Sequence, residues 1–214
     1  MALLLYGCSV VSCAAPGRPP SPPPPAGSAT AAFGNGTAEL VRYHSRRLAL
    51  SLPLPDGRSW VLDDRCRAEL VATHAPTQSA VVVALIRTEA VVGREQCEKL
   101  ARERALIPNV PLEPIEDVVA VTQGTFDTRI IVGVEPGGDP HSPLTGHVTA
   151  FGGFLRKCYV FDFSTRVAGA TDAAALSSRL AFARTRILPG LVFDAIDQGV
   201  ARSRPSDADI LLGR

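Results

Sequence analysis

The sequence predicts an α+β domain, an antiparallel sheet with helices packed on it as an αβα-type sandwich, standing behind a disordered proline-rich N-terminal stalk. Three observations carry this reading. Period-two apolar alternation and continuous apolar runs mark a series of strands; residues 93–105 and 171–188 carry apolar side chains at helical spacing; and residues 14–26 contain Pro16, Pro19, Pro20 and the run Pro22 to Pro25, which can join neither helix nor sheet.

The elements follow in order. Leu48, Leu50 and Leu52 alternate with Ala49 and Ser51 as in a half-buried strand, which Pro55-Asp56-Gly57 ends in a turn. Residues 59–63 form a short strand with Trp60, the only tryptophan, and residues 68–73 a third. The run Ala80 to Ile86 is apolar throughout, so that strand is covered on both faces. Gly93 opens a helix reaching about Ala105, with Cys97, Leu100 and Ala101 inward and the pairs Glu95/Lys99 and Glu98/Arg102 on a solvated face.

After a connector at 107–114, residues 118–122 and 129–134 make a hairpin around Gln123-Gly124-Thr125. A second hairpin joins 147–151 to 154–165 around Gly152-Gly153. In its second arm Tyr159, Phe161 and Phe163 share one face, and Cys158 and Val160 the other. Thr171 caps the second helix, Leu176, Leu180, Ala183 and Ile187 form its buried stripe, and Pro189-Gly190 stops it. Leu191 to Ile196 packs back on the core.

Composition narrows the function classes. The chain of 214 residues has 22 basic and 21 acidic side chains, a formal charge of +1 and no Lys/Arg-rich run, so no nucleic-acid partner is expected. Only Lys99 and Lys157 are lysines; the rest of the basic residues are arginines scattered among abundant Ala, Gly, Pro and Val, the coding bias of a GC-rich bacterial genome. No apolar run approaches the roughly 20 residues of a membrane-spanning helix.

Residues 1–12 read as a signal-like apolar segment, 13–45 as a low-complexity linker, 46–198 as the α+β domain and 199–214 as a C-terminal tail. Val10-Val11-Ser12-Cys13 resembles the bacterial lipobox, and Leu5-Tyr6-Gly7-Cys8 is a second match with a bulky Tyr6 two positions before its cysteine. The pattern departs from an export signal in having no Lys or Arg before Arg18. The resemblance implies a lipoprotein with Cys13 lipidated, Cys8 being the alternative, held by its lipid at the periplasmic or outer-membrane face of a bacterial envelope. The prolines that follow form an extended spacer of about 3.1 Å per residue. Asn35-Gly36-Thr37 matches an N-glycosylation sequon, which has no weight in a bacterial chain.

The opening strand leading into Leu52-Pro53-Leu54-Pro55-Asp56-Gly57, with Trp60 just after, is similar to the start of PsbP/Mog1-like and DcrB-like domains. Arg58-Ser59 intervene here between the glycine and the tryptophan. The resemblance spans about Arg47 to Ile196 and implies an accessory, binding or assembly role with no catalytic residue set to carry over.

Asp139, His141, Ser142 and His147 form the densest polar cluster, around a Gly/Pro loop. Two histidines and a carboxylate suit zinc, and serine with histidine suits hydrolysis, but the spacing matches neither a His-Glu-x-x-His helix nor a Gly-x-Ser-x-Gly elbow, so a solvated loop is the expectation. His44 and His74 are isolated, structural or surface residues, and Gly133 to Gly138 leads into Pro140 and is a turn. Cys158 could act as a nucleophile with His147 and Asp162 only in a cleft with an oriented base.

In an oxidising compartment Cys97, on the inward helix stripe, pairs with Cys158, on a core strand; Cys66 is the alternative partner, and three buried reduced thiols are the other possibility. The functional expectation is a non-enzymatic, envelope-tethered binding lipoprotein for an unknown protein or small ligand, with no cofactor. The alternative is a hydrolase or metalloenzyme built on the Asp139–His147 loop.

Overall fold

The computed structural model describes Phe33 and residues 39–137, 139 and 142–194. Strands β1 (Leu40–Ser45) and β2 (Leu50–Pro55) pair antiparallel, and β10 (Val192–Phe193) returns to the other edge of β2. The larger sheet contains β3 (Trp60–Asp63), β4 (Leu70–His74), β5 (Ser79–Arg87), β6 (Glu113–Thr122), β7 (Phe126–Val134), β8 (Leu144–Phe154) and β9 (Lys157–Val167). Its order is β3-β4-β5-β9-β8-β7-β6, antiparallel throughout. The result is an α+β single domain of two antiparallel sheets with helices packed on them.

Alternation along β9 decides what lies on each face. Tyr159, Phe161 and Phe163 enter the main core with Leu176 and Leu180, while Cys158 and Val160 enter a second core with Cys97 and Ala101. Helix α1 (Arg94–Glu103) covers one face and α2 (Ala173–Phe182) the other. Leu50, Leu52 and Leu54 of β2 are buried in the α2-side core, joined there by Leu191 and Phe193. This double coverage leaves β5 apolar along most of its length.

Several boundaries differ from the sequence reading for physical reasons. The first strand starts at Leu40, within the stretch read as linker, because it pairs across its whole length with β2. Residues 113–117, read partly as connector, extend β6 along β7. Gly152 and Gly153 lie inside β8, and the turn is made by Leu155 and Arg156, Leu155 having φ 52°. Those glycines serve close approach instead: a Cβ on Gly153 would meet the Val92 carbonyl oxygen at 2.4 Å, and one on Gly152 the Thr128 hydroxyl at 2.4 Å.

Thr171 does not cap α2; a 3₁₀ turn precedes the helix, whose N-cap is Asp172 without a side-chain cap bond. A π turn at Ala183–Ile187 and a short helix α3 (Leu188–Gly190) continue α2, and this keeps Ala183, Ile187 and Leu188 buried.

Candidate functional site

His147 lies on β8 and Asp162 on the neighbouring β9, where the register sets Thr149 opposite Asp162. All three side chains are buried, between 2% and 7% exposed. Nδ1 of His147 is 3.3 Å from each Asp162 oxygen, Nε2 is 3.2 Å from Glu135 Oε1, and Thr149 donates its hydroxyl to Asp162 at 2.7 Å. Burial opposes charge on the ring, but the hydrogen bonds and charges of Asp162 and then Glu135 outweigh it and raise the pKa. In the charged form both ring N–H groups donate to carboxylates. Neither nitrogen is then available as a base, and Thr149 is too buried to meet a substrate.

The solvated-loop expectation therefore fails for His147, which belongs to the sheet and not to the 139–142 loop. In that loop the Ser142 N–H donates to the Asp139 carbonyl at 2.9 Å. His141 lies outside the described residues, as do Cys8 and Cys13. Among the described residues no group of three His, Cys, Asp or Glu side chains is arranged to hold a metal.

Cys97 Sγ and Cys158 Sγ are bonded, with their Cα atoms 5.5 Å apart, linking α1 to the central strand β9. Cys158 therefore has no thiol to act as a nucleophile beside His147 and Asp162. Cys66 is exposed beyond β3, where its N–H donates to Asp63 Oδ1 at 3.2 Å.

A shallow cleft of about 240 Å³ lies between α1 and the β6–β7 hairpin, lined by Arg94, Glu95, Glu98, Val119, Arg129 and the buried Phe151. Its charges are mutually engaged. Arg94 donates to Asp127 at 2.7 Å, and Arg129 to Asp117 at 2.7 Å and to Glu98 at 3.2 Å. The Arg129 hydrogen bond holds the Asp117 carboxyl below the usual carboxylate range. Glu98, read as a purely outer helix position, is thus shared between Arg102 and this cleft.

A third feature lies on the α2 face, where Phe33 is 6% exposed among four rings. Its centroid is 6.1 Å from Trp60, 5.6 Å from His74, 6.1 Å from Phe163 and 5.6 Å from Phe182. Trp60 and His74 are cross-strand partners, and the Trp60 indole N–H donates to the Pro55 carbonyl at 2.6 Å. His74 Nδ1 is 2.7 Å from the Thr77 hydroxyl; its Nε2 has no hydrogen-bond partner and sits 3.6 Å from Asp56 Oδ2. Burial lowers the His74 pKa, against the opposing pull of Asp56.

Beside this cage, Arg179 of α2 is only 3% exposed and donates to the Thr77 carbonyl at 2.9 Å, near a chain of hydroxyls formed by Thr77, Ser79 and Thr165. Desolvation lowers its pKa. Arg179 follows Leu176 by three and precedes Leu180 by one, so its place on the buried stripe was readable from the helical period. Phe33 carried no such signal in its low-complexity surroundings, and Glu135 and Asp162 meet His147 only through strand pairing.

Comparison with solved structures locates this architecture. The chain matches a point mutant of protein Mog1 with a TM-score of 0.51 at 11% identity, covering 72% of this chain and 96% of that one. It matches Mog1p, a Ran-binding protein of Saccharomyces cerevisiae, with a TM-score of 0.50 at 12% identity, covering 74% and 97%. The domain has a Mog1-like fold. A cyanobacterial PsbP, CyanoP of Synechocystis, also matches, with a TM-score of 0.44 at 15% identity over 75% of this chain and 95% of that one. No family model and no curated protein matches the sequence. In this Mog1-like domain the His147 cluster, the α1 cleft and the Phe33 cage are therefore read from their own geometry.

Proposed function

We propose that the chain is an envelope-tethered, non-enzymatic binding or accessory domain, carried on a proline-rich spacer behind a lipid on Cys13, with Cys8 as the alternative site. The observation that carries this reading is the Cys97–Cys158 bond between α1 and β9, because such bonds form and persist in oxidising compartments. The lipobox-like Val10-Val11-Ser12-Cys13 and the prolines up to Pro25 supply an anchor and reach. Among the described residues no helix is long and apolar enough to cross a membrane.

A binding role is favoured over the alternative hydrolase or metalloenzyme by the engagement of both His147 nitrogens with carboxylates. The Mog1-like fold adds to this, since one solved structure that shares it is a Ran-binding protein. The partner is a protein or small ligand recognised at a local surface, because a net charge of +1 gives little long-range steering.

Labelling with a fatty-acid analogue in a bacterial host tests the tether. The parent incorporates label and Cys13→Ala does not; label that persists in Cys13→Ala and disappears in Cys8→Ala moves the site. No label in the parent ends the lipoprotein reading. Crosslinking in intact envelopes, followed by recovery of the chain, then identifies what it touches.

A further inference from the structure

The walls of the aromatic cage come from four elements of the folded domain: Trp60 from β3, His74 from β4, Phe163 from β9 and Phe182 from α2. The side chain that fills it belongs to none of them. Phe33 precedes β1, the first strand, and lies in a stretch of small residues, Ala31-Ala32 before it and Gly34-Asn35-Gly36 after. The domain thus builds a socket, and a residue from outside its strands and helices occupies it.

The geometry points to a docking site for one aromatic side chain on a polypeptide with small flanking residues, filled here by the chain's own Phe33 and able to take the same kind of segment from another molecule. The ring geometry suits this ligand: Trp60 stacks at an interplanar angle of 20°, Phe163 meets Phe33 edge-on at 64°, and His74 and Phe182 close the sides.

His74, one wall of the socket, turns its Nε2 toward Asp56 Oδ2 at 3.6 Å. The site is independent of the tether and does not require Cys13 to carry lipid. A covalently linked occupant competes with any free one, so the site is masked in the intact chain and a second molecule binds when Phe33 is absent or released.

Trp60, the only tryptophan, lines the cage and reports its occupancy by fluorescence. The probe is a synthetic peptide spanning residues 27–39, added to the full-length chain. The Phe33→Ala chain, with far-ultraviolet circular dichroism unchanged, binds this peptide at least about tenfold more tightly than the wild type does, because the cis competitor is gone. The Phe33→Ala version of the peptide binds neither chain. Equal binding of both peptides, or no binding to a folded Phe33→Ala chain, overturns the proposal and leaves Phe33 as ordinary core packing.

A second route serves if Phe33→Ala does not fold. A protease site replacing Asn35-Gly36-Thr37 is cut in the folded chain, leaving Phe33 in place. Exchange of the released fragment with the synthetic peptide supports the site; a fragment that never exchanges, or a domain that unfolds on cutting, overturns it. Displacement by a free fatty acid but not by the peptide also overturns it, since the socket would then take acyl chains.

Discussion

Asp162 holds His147 from a neighbouring strand, both of its oxygens 3.3 Å from Nδ1 across a separation of 15 residues. With Glu135 on Nε2, the ring when protonated stands between two carboxylates, and its raised pKa gives the domain a specific response to pH. The folded-state pKa of His147 is raised above 6.5, so its contribution is fully present below that value and is lost as pH rises through the raised pKa. His74 acts in the opposite sense. Its folded pKa is lowered, so stability falls as pH drops below 6.5 and the unfolded chain takes up the proton first. Urea midpoints measured between about pH 5 and 9 are expected to peak near the ordinary histidine pKa.

Replacing His147 leaves Asp162 buried without its imidazole partner. His147→Gln is expected to cost roughly 2–3 kcal/mol at neutral pH and to remove the alkaline decline while leaving the acid-side decline intact. An unchanged alkaline slope in this variant would show that another group causes it.

The bond between Cys97 and Cys158 closes a loop with a sequence separation of 61. The double substitution Cys97→Ala with Cys158→Ala is expected to lower stability by roughly 2–4 kcal/mol, and reductant should do the same to the parent. Non-reducing peptide mapping of the purified chain is expected to recover the two cysteine peptides joined. A bridge that contains Cys66 would refute that pairing.

Helix α1 ends in a paired hydrogen-bond motif: the Leu106 N–H donates to the Ala101 carbonyl and the Ala105 N–H to the Arg102 carbonyl, both at 2.9 Å. Ala105 takes the left-handed conformation at φ 52° that this motif requires. Ala105→Gly relieves that strain and is expected to add about 0.5–1 kcal/mol, raising Tm by about 2–4 °C per kcal/mol for a domain of this size.

Two glycines should respond in opposite proportion to their surroundings. A Cβ at Gly153 meets the Val92 carbonyl oxygen at 2.4 Å and Gly93 Cα at 2.9 Å, all backbone, so Gly153→Ala is expected to cost more than about 2 kcal/mol. Gly124 has open space around it and only its φ of +73° to resist a side chain, so Gly124→Ala should cost about 1 kcal/mol. Chemical denaturation of the two variants checks the order.

What the amino-acid order determined by itself was the set of faces. The alternation of Tyr159, Phe161 and Phe163 against Cys158 and Val160, the stripe Leu176, Leu180, Ala183 and Ile187, and the unbroken apolar run of β5 each reflect a local periodicity that burial imposes, and together they define an α+β sandwich covered on both sides. Tertiary structure alone decided what depends on register and close approach. Pairing of β8 with β9 and of β7 with β8 brings Asp162 and Glu135 to His147, while the Val92-Gly93 backbone lying on Gly153 and the Thr128 and Tyr159 side chains lying on Gly152 explain glycines that look like a turn in the sequence. Phe33 shows the same limit most clearly. A lone aromatic among small residues has no period to read, and only the folded positions of Trp60, His74, Phe163 and Phe182 give it a place.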